Sequence, residues 1–166
     1  MEQTMEATQI KQRKILSINN SKLDPMVDIL ADAFHDDPIM QWISPNAKGQ
    51  DYQRFAFKTT LPLFIPHGHS YVTSDGNGAA SWLPPGIAMP SAPITMRNTL
   101  DSLKFGVGSV VRGLTTLYKM QKNHPTTPHY YLYALGARAS AQGKGVGTAL
   151  IKEVLTRCDQ EGMPAY

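Results

Sequence analysis

The stretch Gln142-Gly143-Lys144-Gly145-Val146-Gly147-Thr148 sets three glycines at every second position, between an apolar run, Tyr130 to Ala137, and an amphipathic run, Val146 to Cys158. Read in order, these segments predict a strand, a glycine turn and a helix. Glycine lets the backbone come close to a ligand, and the first amides of a helix have no partner within it. Such a turn is an anion cradle, and a phosphate or pyrophosphate is its natural occupant.

The neighbouring segments support that order. Tyr130 to Ala137 is too short for a helix and apolar on both faces, as in a strand covered on both sides. Behind the turn, Val146, Leu150, Val154 and Cys158 fall on one stripe with Ile151 and Leu155 beside it, and Gly162 with Pro164 supplies the stop. Further upstream, Asp75-Gly76-Asn77-Gly78 between Ser70–Ser74 and Ala79–Leu83 predicts an antiparallel hairpin. Arg13 to Ile18 reads as a first strand. Asp24-Pro25 opens a helix that turns Val27, Leu30, Ala31 and Phe34 inward and Asp28 and Asp32 to water. Asp37-Pro38 opens a short second helix. A third, from about Gln50, puts Tyr52, Phe55, Ala56, Thr59 and Leu63 on its apolar face and is limited by Pro62 and Pro66. Leu100, Leu103, Val107, Val111, Leu114 and Leu117 keep a helical period that Gly106, Gly108 and Gly113 interrupt, giving two helices or one kinked helix. The fold class is α/β, of the α+β kind: a mixed, mostly antiparallel sheet of at least four strands flanked by helices.

A length of 166 residues suits one domain, expected over residues 13–166 behind a disordered tail at 1–12. With 42% hydrophobic and 17% charged residues, and no run approaching the roughly 20 apolar residues of a membrane span, a soluble protein is expected. The tail carries no secretory h-region, and a lone cysteine, Cys158, forms no internal disulfide; a cytoplasmic protein fits. The net charge of +3 is spread along the chain without the dense basic face of a nucleic-acid binder. His67-Gly68-His69 and His35-Asp36-Asp37 contain ligand types, but no set of three or four converges in sequence, so no metal is expected.

Spacing decides among phosphate-binding turns. A P-loop needs Ser or Thr after its lysine, and Gly145 follows Lys144. A dinucleotide fingerprint needs Gly-x-Gly-x-x-Gly and a later acidic residue, and the spacing here is Gly-x-Gly-x-Gly. Tyr130-Tyr131-Leu132-Tyr133-Ala134-Leu135-Gly136-Ala137 followed by Gln142-Gly143-Lys144-Gly145-Val146-Gly147 does resemble the acetyl-CoA motif of the GCN5-related N-acetyltransferase (GNAT) superfamily, whose Gln/Arg-x-x-Gly-x-Gly/Ala core is met by Gln142, Gly145 and Gly147. Weaker likenesses at Ala31 to Pro38 with Trp42, at Ala80 to Gly86 and at His124 to Leu132 resemble puromycin N-acetyltransferase-like members.

The resemblance implies an enzyme that moves an acetyl group from acetyl-CoA, its cosubstrate, to a primary amine of a small molecule within a ternary complex. The alternative is a CoA-binding domain that has lost turnover. It implies that Gln142, Gly143, Lys144, Gly145, Val146, Gly147 and Thr148 hold the CoA pyrophosphate. Leu135, Gly136 and Ala137 would pair with the pantetheine arm, and an amide near Leu135 would polarise the acetyl carbonyl. Where some relatives carry a glutamate base stands Tyr131, a poor base since its reference pKa is about 10; Tyr133 shares its face, and both are candidate catalytic residues. Asp36, Asp37 and Trp42 border the expected acceptor pocket, although Asp37 also reads as a simple helix cap, about twice as strongly. Against the family pattern, the sequence stops at Met163-Pro164-Ala165-Tyr166, where the next strand would begin. The expectation is therefore a C-terminally truncated form, or a homodimer that completes the sheet.

Overall fold

The computed structural model describes residues 13–19, 22–90 and 96–166; the tail predicted at 1–12 lies outside them. In chain order the elements are β1 (Ile15–Ser17), α1 (Leu23–Ala33), α2 (Pro38–Ile43), α3 (Asp51–Thr60), β2 (Ser70–Thr73), β3 (Gly78–Leu83), α4 (Met96–Leu103), α5 (Val107–Lys122), β4 (Tyr131–Ala137) and α6 (Val146–Glu161). Short 3-10 turns at Leu61–Leu63 and Ile65–His67 follow α3, and another at Ala139–Ala141 leads into the glycine turn.

The four strands form one antiparallel sheet in the order β1-β2-β3-β4. Helices cover both faces, as the mixed class predicts. On one face α1 and α3 close a core of Met26, Val27, Ile29, Leu30, Phe57 and Leu61 against Ala79 and Ala134. On the other, α6 lays Val146, Leu150, Val154 and Cys158 over Tyr71, Ala80, Trp82 and Tyr130. The α6 stripe predicted from period alone is the buried one, with all four residues at 5% exposure or less.

Three local readings differ. Helix α1 begins at Leu23 with Lys22 as its cap, so Pro25 sits inside the first turn, where the amides lack helical partners anyway. The predicted face of α3 is turned away from the sheet: Phe57 and Gln53 are its buried residues, while Tyr52 and Phe55 pack on Phe105, each at a ring separation of 5.3 Å. The helix lies between the core and the loop joining α4 to α5, so it needs apolar residues on two sides. The glycines do split the next segment into two helices, but Leu100, Val107, Val111 and Leu114 on them are exposed. Their period marks a helix without marking a buried one.

Among the described residues no helix is long and apolar enough to cross a membrane, and no group of three or more His, Cys, Asp or Glu side chains could hold a metal ion.

Candidate active site

The site is built where β4 runs into α6. Gly143 and Gly145 both take left-handed backbone angles, φ +74° and +70°, which side-chain-bearing residues adopt only at a cost. Gly145 caps α6, and the first helical bond runs from the Ala149 amide to the Gly145 carbonyl at 3.0 Å. The amides of Val146, Gly147 and Thr148 therefore have no acceptor within the helix. A side chain at Gly147 would meet only Leu135 Cδ2, at 3.9 Å, and one at Gly143 would meet nothing within 4 Å. These amides lie at the positive end of a 16-residue helix, a geometry suited to an anion.

Its surroundings keep it in place. The Val146 side chain is buried, so only its amide serves the cradle, and a Cβ on Gly78 would run into it. Gln142 Nε2 donates back to the carbonyl of Ala137, 3.5 Å, tying the turn to the strand end. Arg13 donates through Nη1 to the Lys144 carbonyl at 3.2 Å and through Nε to Asp75 at 2.8 Å. Desolvation pushes the Asp75 carboxyl up, but hydrogen bonds from Thr73, Arg13 and Asn77 outweigh it and hold the group well below the usual carboxylate range. Asp32, expected to face water, accepts from the Ala139 amide at 3.3 Å and lies 4.0 Å from Arg138. Arg138 itself donates through Nε to the Gly76 carbonyl at 3.0 Å. Arg13, Asp32 and Arg138 carry no spacing signal that sets them apart as supports.

Strand β4 offers the second half of the site. Ser81 of β3 pairs with Ala134 and the next residue, Trp82, pairs with Leu132, so Tyr133 is an extra residue in a β-bulge. Beyond β4, Pro164 to Tyr166 runs parallel to the start of the strand: the amides of Tyr130 and Leu132 donate to Pro164 and Tyr166, at 2.9 and 2.7 Å. From Ala134 to Ala137 the outer edge of β4 has no strand partner among the described residues. Gly136 has its own packing reason: a Cβ there would sit 2.6 Å from the Ala33 Cβ and 3.1 Å from Leu30 Cδ2.

The predicted site residues do not all converge. Leu135 to Ala137 and Gln142 to Thr148 do, at one end of β4. Tyr131 lies at the other end, buried, its phenol pushed up by burial and by Tyr166, whose ring stacks at 6.0 Å. Tyr133 stacks on Phe64 at 4.0 Å and donates its hydroxyl to Thr60 Oγ1 at 2.5 Å, with its pKa pushed up to about 12 by burial. Asp37 caps α2, accepting from the Met40 amide at 2.8 Å, which is the capping role its sequence position suggests. Asp36 is exposed beside His35, and Trp42 is half exposed with the Arg112 guanidinium 5.9 Å from its ring centre.

The sequence does not single out one further cluster, around His124 and His129. The rings of His124 and His129 lie 4.7 Å apart, and both pack near Tyr131 and Tyr166. With Leu83, Pro84, Ile87 and Pro128 among the other walls, they line a cavity of about 280 Å³.

The model of the acetyltransferase (GNAT) family matches residues 104–166. An uncharacterized N-acetyltransferase, C550.08, of Schizosaccharomyces pombe is 26% identical over 153 residues, which span 82% of this chain and 60% of that protein. Among solved structures, a histone acetyltransferase HPA2 and related acetyltransferase from Corynebacterium glutamicum superposes with a TM-score of 0.59 at 23% identity, covering 88% of this chain and 71% of that one. Arylalkylamine N-acetyltransferase 2 from Aedes aegypti gives a TM-score of 0.54 at 15% identity, covering 92% and 73%. The matched segment contains β4, the glycine turn and α6, and over that segment the chain is similar to the GNAT family of acetyltransferases.

Proposed function

We propose that this protein is an acetyl-CoA-dependent N-acetyltransferase that acylates a primary amine of a small molecule by direct transfer in a ternary complex. The observation that carries the reading is the alignment of the cradle with the unpartnered outer edge of β4. A diphosphate at the amides of Val146, Gly147 and Thr148 meets unpaired donors and the positive end of a helix dipole, with Lys144 exposed beside them. An extended arm leaving that point finds an unpartnered strand edge at Leu135 to Ala137, and strand-like pairing there directs it toward the bulge at Tyr133, roughly 13 Å away at about 3.3 Å per residue.

The chemistry required of the protein is modest. Acetyl-CoA supplies an activated thioester. The protein has to hold both substrates in line, offer a donor to the carbonyl oxygen as charge builds on it, and accept the proton of the incoming ammonium. Backbone amides along the bulged strand serve the second task. Tyr131 and Tyr133, the sequence candidates for the third, are poorly suited, since burial keeps both phenols protonated and the Tyr133 hydroxyl is committed to Thr60. Tyr131 instead lines a cavity, and Tyr133 packs against Phe64. Asp36, exposed at the α1–α2 junction, is the remaining acidic candidate for attracting a cationic acceptor. The single cysteine, buried in α6, fits a cytoplasmic protein.

Calorimetric titration with acetyl-CoA, followed by thiol release against an amine panel, tests the reading. Binding with turnover is expected. Binding without release on any amine favours a CoA-binding domain, and absence of binding removes both.

A further inference from the structure

Asp32 is the second-last residue of α1, and an aspartate in the last turn of a helix meets the negative end of the helix dipole. The helix alone gains nothing from it, so its reason lies in what it touches. Its Oδ2 accepts from the amide of Ala139 at 3.3 Å. Ala139 opens the 3-10 turn Ala139–Ala141, and the N-cap residue of that turn, Arg138, offers no side-chain cap of its own. The carboxylate on α1 therefore caps a turn that belongs to a distant part of the chain. From there the backbone carries the contact into the glycine turn: the Gln142 amide donates to the Ala139 carbonyl and the Lys144 amide to the Ala141 carbonyl, both at 3.4 Å. Gly136 lets α1 come this close, since the Ala33 Cβ lies where a side chain on Gly136 would intrude.

The same residue holds the corner between α1 and α2. Its backbone carbonyl accepts from the His35 amide at 3.3 Å, and the Asp37 amide donates to the Phe34 carbonyl at 3.2 Å. Its Oδ1 accepts from Gln50 Nε2 at 3.4 Å, at the start of α3. One turn further, the buried Gln53 donates to the carbonyls of Phe34 and His35, each at 3.3 Å. The beginning of α3 thus fastens both Asp32 and the corner that carries Asp36. Resting on the acetyltransferase reading above, we infer that Asp32 is a positioning residue that couples the two substrate sites. Its carboxylate ties the glycine turn, which receives the diphosphate of acetyl-CoA, to the α1–α2 corner, where Asp36 is offered to the amine. Two sites joined through one bonded residue respond to each other reciprocally, so a diphosphate that orders the turn also steadies the corner.

The test compares Asp32→Ala with Asp32→Asn. Alanine removes the cap. Asparagine keeps it, since its Oδ1 can accept from Ala139 while its Nδ2 donates to Gln50 Oε1 once that amide turns over. Only the weak pairing with Arg138, 4.0 Å away and partly exposed, is lost. By calorimetry the acetyl-CoA Kd should rise about three- to tenfold in Asp32→Ala and stay within about twofold of wild type in Asp32→Asn. Hydrogen exchange gives a readout independent of turnover. Acetyl-CoA should slow exchange at the His35 and Asp37 amides in wild type and in Asp32→Asn, and leave them unchanged in Asp32→Ala; a residue that served only the stability of α1 would not produce that pattern. A wild-type corner indifferent to acetyl-CoA overturns the coupling, and this measurement decides it even where Asp32→Ala does not fold. An asparagine variant as impaired as the alanine one overturns the cap as the route, and an alanine variant that binds like wild type overturns the positioning role. Each of these leaves the acetyltransferase reading standing. Failure of wild type to bind acetyl-CoA at all overturns that reading itself, and this inference with it.

Discussion

The Nη1 of Arg13 donates to the carbonyl of Lys144 at 3.2 Å, so the residue just ahead of the first strand holds the glycine turn that lies near the other end of the chain. The same guanidinium is fixed by Asp75 in the β2–β3 hairpin, and its side chain is only 8% exposed. Arg13→Ala should therefore loosen the cradle without removing any of its amides. The expected outcome is a several-fold weaker acetyl-CoA Kd by calorimetry, and a loss of about 1–3 kcal/mol in urea unfolding for a charge-assisted hydrogen bond. An unchanged Kd would show that the turn holds its shape without this support.

Asp75 gives that support a pH dependence. Its carboxyl ionises at lower pH in the folded chain than in the unfolded one, because the hydrogen bonds from Thr73, Arg13 and Asn77 outweigh its desolvation. The folded state thus favours the charged form. This contribution is fully present above the unfolded value, about 4, and is lost as pH falls below it toward the depressed folded value. Urea melts between pH 5 and pH 2.5 should show wild type losing stability more steeply than Asp75→Asn; parallel slopes would contradict it.

Tyr133 separates a structural tyrosine from a reactive one. Its hydroxyl donates to Thr60 Oγ1, and Thr60 donates in turn to the Ala56 carbonyl at 2.8 Å, so the phenol proton is already committed. Tyr133→Phe should cost about 1 kcal/mol of stability and leave kcat within about threefold. The buried phenol is protonated up to about pH 12, against about 10 when unfolded, so wild type should lose this contribution as pH rises through that interval and the variant should not. A large fall in kcat would return Tyr133 to the reaction.

How much of this was legible in sequence follows from how each residue acts. The proposed cradle would act through backbone amides, and the glycines beside them are readable in sequence, while the positive φ angles of Gly143 and Gly145 emerge only in the fold. The α6 stripe is readable because period alone decides what a helix buries. Arg13, Asp32 and Arg138 escape because each reaches a carbonyl, amide or carboxylate far away in sequence, and only the folded sheet brings these together. His129 escapes for a different reason. A histidine ahead of a strand is common, and what sets this one apart is a buried nitrogen with nothing to bond. The α3 face was misread because one helix packs on two partners, which a single apolar stripe does not encode.

Two glycines of the same motif should fail in different ways. Gly136 lies on the strand, and a Cβ there would come within 2.6 Å of the Ala33 Cβ on a helix whose neighbours Leu30 and Ala31 are fully buried. Relief requires α1 to move off the sheet, so Gly136→Ala should cost about 1–3 kcal/mol of stability by overpacking. Once folded, the variant keeps the glycine turn, so any weakening of acetyl-CoA binding should stay well below that of Gly145→Glu. Gly145 is the opposite case. Its φ of +70° makes any side chain cost about 1–2 kcal/mol, and Gly145→Glu also sets a carboxylate beside the amides of Val146 and Gly147. That charge competes for the donors and repels a diphosphate, so acetyl-CoA binding should weaken by at least about 100-fold, roughly 2.7 kcal/mol, in a protein that still melts cooperatively. Comparing Gly145→Glu with Gly145→Ala isolates the charge, because both carry the backbone strain and only the first carries the carboxylate. Calorimetry showing both variants equally impaired would mean that backbone geometry, and not an anion at the helix N-terminus, governs the site.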